Sequence, residues 1–234
     1  MPDSSTLPFY EAYVINVNDF KLAESETRRS INKALKSNKE LSVKVQTKIY
    51  ALLYSTYSES SFMKMILTPY GFEQKYVDEI LRQDNIQQKW LKCIELAFIK
   101  FSESQKGSEI PNKILNLSRI IQKYIVSPSV IRNKIAHGQL TVALNRNNTN
   151  LNADLTNEIG SLDFVTVYRW FKINEYLTRI IEDLIESPNV AHHNHYYGVY
   201  QELQKFIAKS EIWSVETKMK TIAMQKPVRY FKKP

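Results

Sequence analysis

Apolar residues recur along this chain at intervals of three and four, and that spacing predicts a helical protein. The clearest run is 41–67. There Val45, Ile49, Leu52, Leu53, Tyr57, Met63 and Ile66 repeat at helical spacing, and Pro69 ends the pattern before a turn at Gly71. Residues 73–103 predict one helix, or two broken near Asp84-Asn85, with Trp90, Ile94, Ala97, Phe98 and Phe101 facing inward. A polar loop from Ser102 to Ser108 follows, and then Ile114, Leu117, Ile120, Ile121 and Ile125 mark another helix. Phe164, Val167, Phe171, Leu177, Ile181 and Leu184 mark a helix over 161–186, stopped by Ser187-Pro188, and a last helix is expected near 196–224.

Two stretches depart from this rhythm. Residues 1–18, with Pro2, Pro8 and a loose alternation through Tyr13 to Val17, predict an irregular or extended arm. Helical signals begin at Asn18 or Asp19 and run to about Lys39. Residues 139–156 predict either a β-hairpin, with arms 140–144 and 151–155 around the Asn-rich turn 145–150, or a long loop. The tail from Lys226 to Pro234 is basic and expected to fray. The expectation is an all-α protein with one short excursion. It lacks internal repeats and separating linkers, so a single elaborated domain is expected.

Composition narrows the class. Hydrophobic residues make up 43% of the chain, enough for a buried core, and only five glycines occur, which disfavours Gly-rich nucleotide loops and turn-dense β folds. The charge of +8 and pI near 9.3 point to a polyanionic partner, with nucleic acid the leading candidate. Cys93 is the only cysteine, so neither a disulfide framework nor a Cys-based zinc site is expected, and its apolar neighbours suit a buried thiol. Met1 to Ser5 lack the basic and apolar regions of a signal peptide, and no apolar run reaches the roughly 18 residues of a membrane span. A soluble, cytoplasmic protein is expected.

The best-punctuated segment is Ser127-Pro128-Ser129-Val130-Ile131-Arg132-Asn133-Lys134-Ile135-Ala136-His137-Gly138. Ser127 suits an N-cap, Pro128 the first helical position and Gly138 the residue just past the end. A helix of about ten residues, roughly 15 Å long, fits between them. Asn133 and His137 then share one face, a turn apart, and Arg132 lies about 100° around from Asn133 with a side chain long enough to reach the same edge. Arg offers a planar fork for phosphate oxygens, His a proton carrier near neutral pH, and Asn a group to hold the ring or orient a ribose. No carboxylate cluster stands beside them, so the motif asks for no metal and no cofactor. An RNA substrate supplies its own nucleophile, the 2′-OH. On spacing alone, a solvated Arg and a helix-terminal His explain the same residues.

Arg132-Asn133-Lys134-Ile135-Ala136-His137 resembles the Arg-x4–6-His motif of HEPN domains, in the form with Asn after the Arg. The resemblance implies a HEPN-like helical bundle with the motif on a late core helix, here followed by the hairpin or loop insertion. It also implies a metal-independent endoribonuclease of the toxin–antitoxin or antiviral-defence kind. In that reading Arg132 and His137 carry catalysis and Asn133 supports it. Two copies pair their motif helices into one composite site. Glu59, in Tyr57-Ser58-Glu59-Ser60, resembles the polar residue an early core helix brings near such a site, or else it is a plain surface residue. The core maps to 41–187, with an N-terminal arm and helix over 1–40 and a C-terminal helix and basic tail over 188–234. The alternative is a module of the same fold without catalysis, binding RNA or a protein partner of a defence or toxin–antitoxin complex.

Other signals are discounted. His192, His193 and His195 invite a metal reading, but no Asp, Glu or Cys stands within that segment, so a polar connector is expected. Tyr50, Tyr54 and Tyr57 sit at helical spacing and predict core packing rather than base stacking, while Tyr196, Tyr197 and Tyr200 remain open between the two. Basic clusters at Arg28-Arg29 with Lys33 and Lys36, and over 218–233, suit either a phosphate backbone or solvent.

Overall fold

The computed structural model describes residues 7–102, 110–186 and 195–224. The helices are α1 (Leu7–Lys36), α2 (Glu40–Ile66), α3 (Gln74–Leu81), α4 (Ile86–Ser102), α5 (Ile110–Ile121), α6 (Ser127–Ala136), α7 (Ala153–Ser161), α8 (Phe164–Glu186), α9 (Tyr197–Glu211) and α10 (Val215–Met224). A π turn, Gln122–Val126, joins α5 to α6 in one unbroken rod, so the described residues hold nine helices and no strand. The protein is all-α. No helix among the described residues is long and apolar enough to cross a membrane.

The first correction is at the N-terminus. The extended arm expected over residues 1–18 is helical from Leu7 onward. Pro8 sits in the first turn, where its missing N–H has no helical acceptor to leave empty. Val17 is buried, with Tyr13 and Val14 half-buried, so the apparent alternation is one edge of a helical stripe against α2. The helix closes just past Lys36 in a turn at Asn38, whose φ is +51°. Asn38 N–H donates to Leu35 O at 3.1 Å and Lys39 N–H to Ala34 O at 3.0 Å, a Schellman closure with Asn in the place glycine usually takes.

α2 runs where the spacing predicted it, but it buries a different stripe. Tyr50, Tyr54 and Tyr57 turn inward and surround Phe171 of α8, with ring centroids 5.0–5.2 Å apart. Such ring pairs each add about 0.5–1.5 kcal/mol beyond area burial. Val45 and Ile49 are 41% and 54% exposed, against the core role their spacing suggested. Apolar residues lie on two stripes of this helix, and α1, α6 and α8 cover only the tyrosine side.

The break near Asp84-Asn85 is real: Asn85 Oδ1 accepts the Gln88 N–H at 3.0 Å and starts α4. Trp90, Cys93, Ile94, Ala97 and Phe98 are buried from α4, with Phe62 at 4.9 Å from Trp90. The Phe101 side chain and most of the polar loop at 102–108 lie outside the described residues.

Ser127 is not an N-cap. It is already helical, its N–H donates to Gln122 O, and the rod passes through it. Of the hairpin or long loop expected over 139–156, the hairpin reduces to one antiparallel bridge, Leu144 to Leu151, within a loop. Its second arm is lost because the Asn152 side chain accepts the Leu155 N–H at 2.9 Å and opens α7 instead. Asp163 caps α8 in the same way, through Val165 N–H and Thr166 N–H.

The last helix is two. Ser214 Oγ accepts the Thr217 N–H at 3.2 Å while Thr217 Oγ1 accepts the Ser214 N–H at 3.0 Å, a reciprocal cap that starts α10 afresh. His192, His193 and the tail from Lys226 lie outside the described residues, and His195 is exposed. One continuous core joins α1 to α10, from Val17 and Ile31 through α2, α4 and α8 to Leu203 and Ile222.

Candidate functional site

What aims α6 is the π turn before it. Pro128 has no N–H, so the carbonyl of Tyr124, four residues earlier, loses its helical partner. The Tyr54 hydroxyl of α2 donates to that carbonyl at 2.7 Å, in a fully buried contact. Burial pushes the Tyr54 hydroxyl above the usual tyrosine range, which keeps it protonated as a donor. Beneath it Asn174 of α8 donates from Nδ2 to Ser58 Oγ of α2 at 2.8 Å. Ser127 and Ser129 hydroxyls donate to Gln122 O and Val126 O, which covers further π-turn carbonyls. Pro128, Ile131 and Ile135 bury the inner face of α6, and the helix is held by packing on one side and by this polar network at its start.

Its other end closes on Gly138 at φ +82°. Gly138 N–H donates to Ile135 O at 3.0 Å and Gln139 N–H to Lys134 O at 2.9 Å, completing a Schellman motif with His137 as C-cap. Among the described residues, nothing beyond its two chain neighbours lies within 4 Å of where a Cβ on Gly138 would sit, so the backbone angle alone demands glycine. The loop beyond is pinned back on the site. Lys134 Nζ donates to Asn145 O at 3.1 Å, Leu144 N–H donates to Gln139 Oε1 at 2.8 Å, and Lys48 of α2 donates to Leu140 O.

On this frame Asn133 and His137 are both exposed on one face, and Val130, 45% exposed, lies about 20° beyond His137 on that face. Arg132 turns the other way, along the edge of α6, and forms an ion pair and hydrogen bond from its Nη2 to Glu59 Oε1 of α2. The Arg132 side chain is 28% exposed and Glu59 56%. The Nε of Arg132 is buried and makes no hydrogen bond among the described residues. A small hollow between Tyr54, Ser58, Glu59, Ser129 and Arg132 lies under the pair.

The fold thus brings Glu59 to Arg132 across 73 residues of sequence, and sets Asn133 and His137 together on the adjoining open face. Among the described residues no hydrogen bond links the Asn133 or His137 side chain to Arg132 or Glu59. One chain therefore presents a cation already engaged by a carboxylate, and beside it an unengaged amide and imidazole. Chemically, the set can bind a phosphate and carry a proton.

Among the described residues, no group of three His, Cys, Asp or Glu side chains is placed to hold a metal. Cys93 is fully buried, and burial pushes its thiol well above the ordinary range, so it is no nucleophile. Sequence reasoning missed Tyr54, Ser58 and Asn174 as the support for α6. The signal was present: a Pro inside a continuous helix strips a partner from the carbonyl four residues before it, and something must replace it.

No family model, no curated protein and no solved structure matches this chain.

Proposed function

We propose that this protein is a metal-independent endoribonuclease of the HEPN type, working as a homodimer in a toxin–antitoxin or antiviral-defence system. The observation that carries the reading is the motif helix itself: Asn133 and His137 stand open on one face, and Arg132 is held at its edge by Glu59.

In this mechanism the RNA 2′-OH attacks the adjacent phosphorus. His137 removes the hydroxyl proton, and the guanidinium of Arg132 stabilises the charge that gathers on the phosphorane oxygens. The P–O5′ bond breaks and the leaving 5′ oxygen takes a proton, giving a 2′,3′-cyclic phosphate and a 5′-hydroxyl. One chain offers one His at the motif, so a second copy supplies the second proton carrier. An exposed apolar stripe supports that pairing. Leu41, Val45 and Ile49 of α2 are 76%, 41% and 54% exposed, on the helix that also bears Glu59. Glu59 orients the Arg132 fork at rest and yields it to phosphate when RNA binds.

The test is cleavage of total RNA by the 234-residue chain in excess EDTA, beside His137→Ala and Arg132→Ala, with product ends mapped. Fragments ending in cyclic phosphate from the parent alone are the expected result. Equal cleavage by all three proteins sinks the assignment. A second reading is favoured by the Arg132–Glu59 pair, which neutralises the cation in the free chain. In it the same face binds RNA or a protein of the defence complex without chemistry, and RNA is retained without product under every condition.

A further inference from the structure

A second concave region lies away from the motif, between α1, the start of α8 and the α9–α10 corner. We infer that this cleft, of about 510 Å³, binds a nucleotide unit, with the base against the Tyr168–Trp213 wall and the phosphate at Arg28 and Lys218. The inference does not rest on the ribonuclease reading.

The volume falls within the range of small-ligand sites. Its wall is aromatic. The Tyr168 and Trp213 rings lie nearly parallel, 26° apart with centroids at 6.4 Å, and Phe206 meets Trp213 edge-on at 5.5 Å from behind. The corner that carries Trp213 is built rather than loose. Trp213 N–H donates to Ser210 O, and Arg169 of α8 donates to the same carbonyl, with Ser210 itself fully buried. A flat apolar wall held in place loses little entropy on stacking a planar ring, and bases of every kind offer such a face.

The charge around the cleft is one-sided. Arg28 and Lys218 line it and, among the described residues, no carboxylate does. Arg28 stands with its guanidinium carbon 5.7 Å from the Tyr168 ring centroid, and only its Nε is engaged, by Glu24 at 3.0 Å. Its terminal nitrogens have no hydrogen-bond partner among the described residues, and neither does the Lys218 ammonium. The nearby carboxylates are spoken for: Glu24 by Arg28 and the Tyr50 hydroxyl, Glu216 by Ser214. An occupant that satisfies this cleft is flat and aromatic at one end and anionic at the other. A nucleotide has both, whether free or as one unit of a single strand.

The experiment is calorimetric titration of the full-length His137→Ala chain, which spares RNA from the proposed cleavage. The probes are AMP, GMP, CMP and UMP, with adenosine and inorganic phosphate as half-ligands, and a short single-stranded RNA. Trp213→Ala and Lys218→Glu are each expected to weaken binding by about tenfold, the scale of one stacked base or one charge-assisted phosphate contact. Either half-ligand alone binds more weakly than the matching monophosphate. A monophosphate that binds as tightly as the short RNA identifies a free nucleotide as the source. Binding of the RNA alone, with the same losses, identifies a strand. Lys218 is partly exposed, so Lys218→Glu reads the site even where Trp213→Ala loosens the corner. No binding of any monophosphate or of the RNA at millimolar concentration overturns the proposal. So does binding that both variants leave unchanged.

Discussion

The motif face on α6 and the cleft beside α10 present opposite kinds of surface. The first is an open face carried by Arg132 to His137, six consecutive residues at the end of one helix, and its cation is already paired with Glu59. The second is concave and assembled from Arg28, Tyr168, Trp213 and Lys218, which three separate stretches of chain bring together, and its cations have no hydrogen-bonding carboxylate on their terminal nitrogens. On the proposed reading, the difference separates two ways of meeting a polyanion. An open helix face with one His suits chemistry completed by a second copy, whereas a concave, aromatic, cation-lined cleft suits retention of a ligand by one chain.

The largest expected effects bear on that division. His137→Ala and Arg132→Ala each lower RNA cleavage by about a hundredfold to ten-thousandfold, the range for losing a proton carrier or a charge stabiliser. Thermal midpoints should scarcely move, because His137 is exposed and the Arg132–Glu59 pair is partly solvated. An equal loss of dinucleotide cleavage in Trp213→Ala merges the two regions into one site and ends the comparison.

Next in size is Tyr54→Phe. It strands the buried Tyr124 carbonyl and is expected to cost about 1–3 kcal/mol in urea denaturation, with a fall in cleavage as α6 loses its anchor. Unchanged stability shows that the π turn holds without the hydroxyl. Gly138→Ala then costs about 1 kcal/mol through the φ of +82°, while Gly160→Ala, in α7 with open space around it, gains up to about 1 kcal/mol. Matching signs from the two glycines overturn the account of the motif helix's C-terminal closure.

The smallest effect is a pH dependence on α8. Burial raises the Asp183 carboxyl above its ordinary range, and one of its oxygens is buried without a hydrogen-bond partner among the described residues. A raised folded-state value means that the folded protein binds this proton more tightly than the unfolded chain does. The carboxylate therefore weakens the fold at neutral pH, and the penalty fades as pH falls through the folded value. Asp183→Asn is expected to be the more stable protein at neutral pH, with the gap closing in acid. A gap that is constant across pH assigns the difference to packing instead.

Much of this was legible in the residues. Helical spacing located α2, α4, α5 and α8 to within a few positions, and the pairing of Asn133 with His137 on one face follows from a separation of four. The misreadings share a cause. Pro8, Ser127 and Ser214 carry signals whose meaning depends on whether the neighbouring turns are already helical. Pro8 opens α1, Ser127 is carried through by the π turn, and Ser214 starts a new helix. The choice of stripe on α2 was equally hidden, because Val45 and Ile49 are as apolar as Tyr50 and Tyr54, and only the placement of α1, α6 and α8 decides which are covered.

The sequence by itself determined most of the long helices, the Gly138 stop and the contents of the motif, because backbone hydrogen bonding and side-chain spacing act over a few residues. The tertiary structure alone decided that Glu59 meets Arg132, that Tyr54 replaces the partner Pro128 removed, and that Arg28 and Trp213 share a cleft. Those contacts join residues dozens to nearly two hundred positions apart, and packing around a common core, which no local pattern encodes, is what brings them within reach.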